Sequence, residues 1–209
     1  MNLSRSNWKN SMLKTAHALG YPEEYHNTYD FFNTRQDGKT LRNFVATVEG
    51  LSEKIKFSDD DAKLKFKGDM LEVLSEIFFN TFESDESVGI KNYEPVLLNE
   101  DFGVDATGIN PNNDKVAIQV KYRSNILDPI LYEDVAKTFC SGLINFQCDV
   151  TKPNSLYVFT TSNLASKAMD KVLGNRVRMI NFDVISRKID NNHTFWLNAY
   201  DMIFKFLDQ

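Results

Sequence analysis

Four side chains in this sequence have the types and the order to do hydrolytic chemistry: Glu72, Asp105, Gln119 and Lys121. Asp105 closes a short extended segment, FGVDATGI, and Gln119 and Lys121 lie in the run DKVAIQVKYR. Side chains at i and i+2 of a strand point to the same face, so Gln119 and Lys121 face together with Ala117, while Val116, Ile118 and Val120 turn the other way. The spacer NPNND has turn composition. The two segments are therefore expected to pair as a hairpin and to bring Asp105 close to Gln119 and Lys121, the polar pair facing a cleft. Glu72 reaches the same edge if its helix packs on the sheet. An acid, an amide oxygen, an ammonium and a second acid suit a hard divalent cation and a phosphodiester. Mg2+ takes a few oxygen ligands and keeps waters. It acts on phosphoryl oxygens as a Lewis acid and makes water a better nucleophile. A lysine beside that water stabilises the charge that builds on the phosphate.

Each of these residues also has a plainer reading. Asp105 sits beside glycines, and Asp is a common turn former. Gln119 and Lys121 would suit a solvated strand face, and Glu72 an exposed helix position. It is the set, in this order and on these elements, that carries the hypothesis. Basic residues nearby stay open between a solvated face and phosphate contact: Lys65 and Lys67, which alternate with Leu64 and Phe66, and Arg123, Arg176 and Arg178.

Other chemistries find little support. His17, His26 and His193 have no zinc-like spacing. Cys140 falls on an amphipathic helix, is expected to be buried, and has no evident His partner. Ser162 lacks a G-x-S-x-G elbow, and no P-loop or dinucleotide fingerprint is present.

The elements that must position the four residues follow from periodicity. SDDDAKLKFKGDMLEVLSEIFFNTF is the strongest helix signal. Ser58 and Asp61 are spaced as a capping box, and Leu64, Met70, Leu71, Leu74, Ile77 and Phe78 form an apolar stripe. Glu72 and Glu76 share a face. Three extended segments follow, VGIKNYEPVLL, FGVDATGI and DKVAIQVKYR, as an antiparallel meander. Then DPILYEDVAKTFCSGLINF reads as helix and NSLYVFTTS as a buried strand. NLASKAMDKVLG reads as helix, with Asn163 as N-cap and Gly174 as stop. VRMINFDVI is expected as a strand and HTFWLNAYDMIFKFLDQ as a closing helix. The order αβββαβαβα implies an α/β fold, a mixed sheet with helices on both faces. Residues 1–57 read as a helical extension. Trp8, Met12 and Leu19 fall at helical spacing, and Leu41, Phe44, Val45, Val48 and Leu51 share one face. The domain boundary is expected near the acidic SDDD, giving 1–57 and 58–209.

Length and composition are compatible with this. The 209 residues suffice for one domain with a core. The net charge of −5 argues mildly against a nucleic-acid partner, but a nuclease keeps carboxylates at its centre. No apolar run has the length of a membrane span, no secretory signal is evident, and two cysteines make no disulfide framework, so a cytoplasmic setting is expected.

GVDATG…VAIQVKY resembles the PD-(D/E)xK, or restriction-endonuclease-like, nuclease superfamily. It is most similar to the Mrr-type and Holliday-junction-resolvase-like branch, in which Gln often stands before the lysine. KGDMLEVLSEIFF is similar to that branch's first helix, with Gly68 followed four residues later by Glu72, and LYVFTTSNLASKAM resembles its later strand and helix. The resemblance covers roughly residues 64 to 190. It implies a restriction-endonuclease-like core and a metal-dependent DNA endonuclease using Mg2+, with Mn2+ able to substitute. Asp105 would be the central metal ligand, Gln119 would offer its side-chain oxygen, and the Val120 backbone carbonyl would add another. Lys121 would position the attacking water and Glu72 would support the metal. DNA is the implied partner, and a homodimer follows from the need to cut two strands. Val104 stands where the family signature has Pro. The alternative from another class is a non-catalytic nucleic-acid-binding or assembly module on the same fold.

Overall fold

A computed structural model describes residues 39–96, 102–196 and 198–199. The element order is α1 (Leu41–Lys54), α2 (Asp60–Thr81), β1 (Lys91–Pro95), β2 (Ala106–Ile109), β3 (Lys115–Lys121), α3 (Tyr132–Ile144), β4 (Leu156–Thr160), α4 (Lys167–Leu173), a 3-10 turn (Gly174–Arg176), β5 (Val177–Ile180) and α5 (Phe182–Ile189). The chain divides into two compact units. Among the described residues, those up to Ile77 and those from Val184 onward form one, and those from Phe78 to Asp183 form the other.

In the first unit, Thr40 caps α1 by accepting the Asn43 N–H at 3.1 Å. Leu41, Phe44, Val48 and Leu51 are buried at spacings of three and four, the expected face; Val45 lies half-buried at its margin. The first turn of α2 is capped by Asp59, whose carboxylate accepts the Ala62 N–H at 2.7 Å. Ser58, the expected cap, instead bonds Asp59 at 3.0 Å. Of the stripe foreseen for α2, Met70, Leu71, Leu74 and Ile77 are buried, whereas Leu64 is exposed. Segments far apart in sequence meet here: the Leu41 N–H donates to Asp190 at 2.7 Å and the Asn191 N–H to the Lys39 carbonyl at 2.8 Å. Trp196 is buried and donates its indole N–H to the Ile189 carbonyl at 2.7 Å. The strand expected over VRMINFDVI ends at Ile180, and a helix, α5, starts at Phe182. Ile185 and Ile189 are buried one turn apart, a helical period that overrides the short alternation before it. The closing helix is described at residues 193–196 and 198–199; the readings made for residues 1–38 and 200–209 lie outside the described residues.

The second unit is a five-stranded mixed sheet in the order β1-β2-β3-β4-β5. β1, β2 and β3 form the antiparallel meander, and β3, β4 and β5 run parallel, joined by crossovers through α3 and α4. The NPNND turn is closed by its own first residue: Asn110 Oδ1 accepts from the N–H of Asn112 and of Asp114, each at 2.9 Å. Both sheet faces are covered. On one, Phe78 and Phe79, in the last turn of α2, pack against Phe159 of β4. On the other, α3 and α4 bury Ala117, Val135, Leu156, Val158, Met169 and Leu173 together. The N-cap of α4 is Ser166 rather than Asn163, its hydroxyl accepting the Met169 N–H at 3.2 Å. Gly174 closes that helix as foreseen, with φ of +51°. Among the described residues, no helix is long and apolar enough to cross a membrane.

Candidate metal centre

β2 is short, and that places the candidate site. Its ladder with β3 ends at Ala106 opposite Ile118. One further backbone bond follows, from the Asp105 N–H to the Ile118 carbonyl at 3.0 Å, and the Val96 N–H holds the Asp105 carbonyl at 3.0 Å. Asp105 is thereby fixed on both sides of its backbone, and continuing the register sets it opposite Gln119. β3 runs on to Lys121, and among the described residues no strand lies beside this edge. Its next inward N–H, that of Val120, is taken by the Asp105 side chain: Oδ2 accepts it at 2.6 Å. The Gln119 side-chain NH2 donates to the same oxygen. Ile118 and Val120 turn their backbone groups to the same edge, because alternate residues of a strand do. The Val120 carbonyl therefore points past the end of β2, and its oxygen lies 3.5 Å from Gln119 Nε2. A carboxylate, a side-chain amide and a backbone carbonyl thus gather at one strand end.

The face carrying Gln119 differs from the cleft expected of it. Gln119 is only 5% exposed. α3 lies over it, because that helix presents Val135, Thr138, Ser141 and Gly142 as a buried stripe. A Cβ on Gly142 would sit 3.0 Å from that of Ala117, so the missing side chain is what lets α3 approach β3. Thr138 reaches Gln119 Oε1 and, at 2.5 Å, the Gly103 carbonyl. Ser141 bonds the Phe102 carbonyl at 2.6 Å. The helix thus grips the turn before Asp105 and the amide beside it with two hydroxyls. Thr138 is the site residue that reasoning on the strands missed. Its signal was a hydroxyl on the core-facing stripe of an amphipathic helix, where an apolar residue would be the default.

Lys121 shares the face of Gln119 and pairs in register with Thr160. It is half-buried, and its ammonium forms no hydrogen bond or ion pair among the described residues. Glu72 is half-buried on α2, in the other unit from Asp105, Gln119 and Lys121. Of the basic residues, Lys65 is exposed and bonds Asp69 at 2.8 Å. Lys67 is 7% exposed and bonds Glu49 at 2.6 Å, so its ammonium serves an internal ion pair. Arg123 pairs with Asp134. Its backbone is clamped by Thr161, whose hydroxyl accepts the Arg123 N–H and donates to its carbonyl, both at 2.7 Å. Arg178 donates to the Ser87 carbonyl at 2.5 Å and lies over the Tyr157 ring, 5.7 Å from its centroid. Arg176 is half-buried and reaches the Val172 carbonyl at 3.5 Å. Cys140, expected to be buried, is exposed; Cys148 is buried, which pushes its thiol up to about 11.

The donor set is chemically suited to a hard cation: one carboxylate, one backbone carbonyl, and one amide oxygen if the amide turns. It is sparse in charge. Among the described residues, no three His, Cys, Asp or Glu side chains gather into a metal-holding cluster. The chain matches no protein-family model, no curated protein and no solved structure.

Proposed function

We propose that the chain is a metal-dependent DNA endonuclease built on a restriction-endonuclease-like αβββαβαβα core. The observation that carries this reading is the meeting of Asp105, Gln119 and the Val120 carbonyl at the end of the β2–β3 hairpin, beside an uncommitted Lys121. Asp105, Gln119 and the Val120 carbonyl would hold Mg2+, with Mn2+ as a substitute. When bound, the ion supplies Lewis-acid stabilisation of the phosphoryl oxygens and makes water a better nucleophile. The chain's own part is placement. Asp105 is locked by its backbone, so its carboxylate costs little to orient. Lys121 brings an ammonium able to orient the attacking water and to offset charge on the phosphate. Of the other basic residues considered for phosphate contact, Arg123, two residues past Lys121, is nearest in the chain; it, Lys65, Lys67, Arg176 and Arg178 all have intramolecular partners that phosphate contact would have to displace. Two copies acting together would cut both strands of a duplex.

One observation favours the second reading, a non-catalytic nucleic-acid-binding or assembly module: the Gln119 NH2 already satisfies Asp105 without a metal. Supercoiled plasmid, incubated with Mg2+ or Mn2+, separates the two. Nicking or linearisation by the wild type, lost in Asp105→Ala and in Lys121→Ala, supports the nuclease. Cleavage that survives both substitutions removes these residues from the mechanism, and DNA binding with no cleavage under either ion supports the module.

A further inference from the structure

Beyond β3, the chain is held at three points by Thr160, Thr161 and Ser162 at the end of β4. Thr160 pairs in register with Lys121. Thr161 clamps the backbone of Arg123, with both bonds at 2.7 Å. Ser162 donates its hydroxyl to the Asp128 carbonyl at 2.6 Å, and the next N–H, that of Asn163, donates to the Ile126 carbonyl at 2.9 Å. Leu127 thus sits between two anchored residues. Its own N–H is held by Asn125 Oδ1 at 3.0 Å. Farther on, the Ile130 N–H bonds the Leu164 carbonyl and the Ser166 N–H bonds the Ile130 carbonyl, each at 2.9 Å. The loops that follow β3 and β4 are therefore zipped into one tip. Ser162 is two residues past Thr160, at most about 7 Å of chain, so the tip begins beside Lys121.

This tip presents apolar side chains to solvent. Leu127 is 64% exposed, Leu131 44% and Leu164 43%. On so firmly anchored a backbone they add little to the core and suit contact with an apolar surface. Charge narrows the choice of surface. Lys121, whose ammonium is uncommitted, lies at one side of the tip, and exposed Lys167, next to Ser166, lies at the other. Both suit phosphates. Asp128 is exposed and is the one acid in residues 124–131, so the tip itself disfavours a phosphate. Phosphates to either side of an apolar group describe a base step of a nucleic-acid strand, and apolar side chains reach base faces by entering a step and unstacking it. We propose that Leu127 is a wedge that enters a base step of duplex DNA within a few base pairs of the bond cut. Flexible pyrimidine–purine steps unstack most easily, so the wedge selects for them there. The inference rests on the nuclease reading above and adds to it a residue that reads the substrate.

The test uses duplexes containing TA and CA steps, with 2-aminopurine, which brightens on unstacking, placed at successive positions. Binding is read without added metal. Wild type is expected to raise the fluorescence several-fold at one step. Leu127→Ala should abolish the rise and Leu127→Met should keep it, because methionine can also wedge. With Mg2+, Leu127→Ala should cut intact duplex about 10- to 100-fold more slowly than wild type. It should recover to within about threefold when an abasic site opens that step beforehand, since the protein then has no stack to break. A Leu127 that served only the fold or another partner would show no such recovery. No fluorescence rise at any step with wild type bound, or the same wild-type to Leu127→Ala rate ratio on intact and abasic duplex, overturns the proposal and leaves the nuclease reading intact. A rise that Leu127→Ala abolishes, with no cleavage by wild type, supports the wedge and removes the nuclease reading. Failure of wild type to bind the duplexes removes both.

Discussion

Replacing Gln119 by Met separates a residue kept for the fold from one kept for a ligand. The substitution preserves side-chain length and removes both polar ends from a site 5% exposed, beside Val158 on the neighbouring strand. Two hydrogen bonds go, to Asp105 and to Thr138, each worth about 0.5–1.5 kcal/mol net. Neither partner is orphaned. Asp105 Oδ2 keeps the Val120 N–H at 2.6 Å, and Thr138 keeps the Gly103 carbonyl at 2.5 Å. Against the loss, a buried thioether chain in place of a primary amide recovers about 1–2 kcal/mol of transfer free energy. The two nearly cancel, so stability should change by no more than about 1 kcal/mol, or roughly 2–4 °C in Tm for a chain of this size. Mg2+ affinity should fall at least about tenfold, because one oxygen ligand is gone. Urea unfolding measures the first quantity and calorimetric titration the second. A loss of more than about 3 kcal/mol with metal affinity unchanged would make Gln119 a structural member of a buried polar network, and the reasoning here would be wrong.

Three further outcomes follow from the same structure. Lys121→Met should leave stability within about 0.5 kcal/mol, since no partner is lost, while slowing plasmid cleavage by about 100-fold or more, as expected for loss of a group aimed at transition-state charge. Gly142→Leu should cost about 2–3 kcal/mol in chemical denaturation, because even its Cβ would meet that of Ala117 at 3.0 Å and α3 must lift from β3. Near pH 8, iodoacetamide should modify exposed Cys140 quickly and buried Cys148 only on unfolding. The native Cys148 thiol keeps its proton up to about 11, against an ordinary value of 9.0, so its contribution to stability should decline as pH rises between those values.

The hairpin was legible because its signals are local. Asn110 closes the turn with its own side chain, and the β3 alternation survives as written, with Ala117 and Gln119 on the α3 face. The cover over that face was not legible. Nothing in DKVAIQVKYR shows that a glycine 25 residues after Ala117 would admit a helix; only the close approach of Gly142 to Ala117 shows it. Gln119 was therefore read as facing a cleft when it faces Thr138. The caps of α2 and α4 moved by one and three residues, to Asp59 and Ser166, because several Ser, Asp and Asn side chains competed at each start and geometry chose among them. α5 was lost to a strand because Val177, Met179 and the apolar residues after them mimic alternation over a window too short to reveal the helical spacing of Ile185 and Ile189.

The central claim is that Asp105, Gln119 and the Val120 carbonyl hold a divalent cation. Substoichiometric Mn2+ added to isotope-labelled protein tests it most directly, since the paramagnetic ion broadens the NMR signals nearest to it. The account predicts that the Val120 backbone amide and the Gln119 side-chain NH2 broaden first, and that Asp105→Ala abolishes the effect. Broadening centred elsewhere, or unchanged in Asp105→Ala, would contradict it.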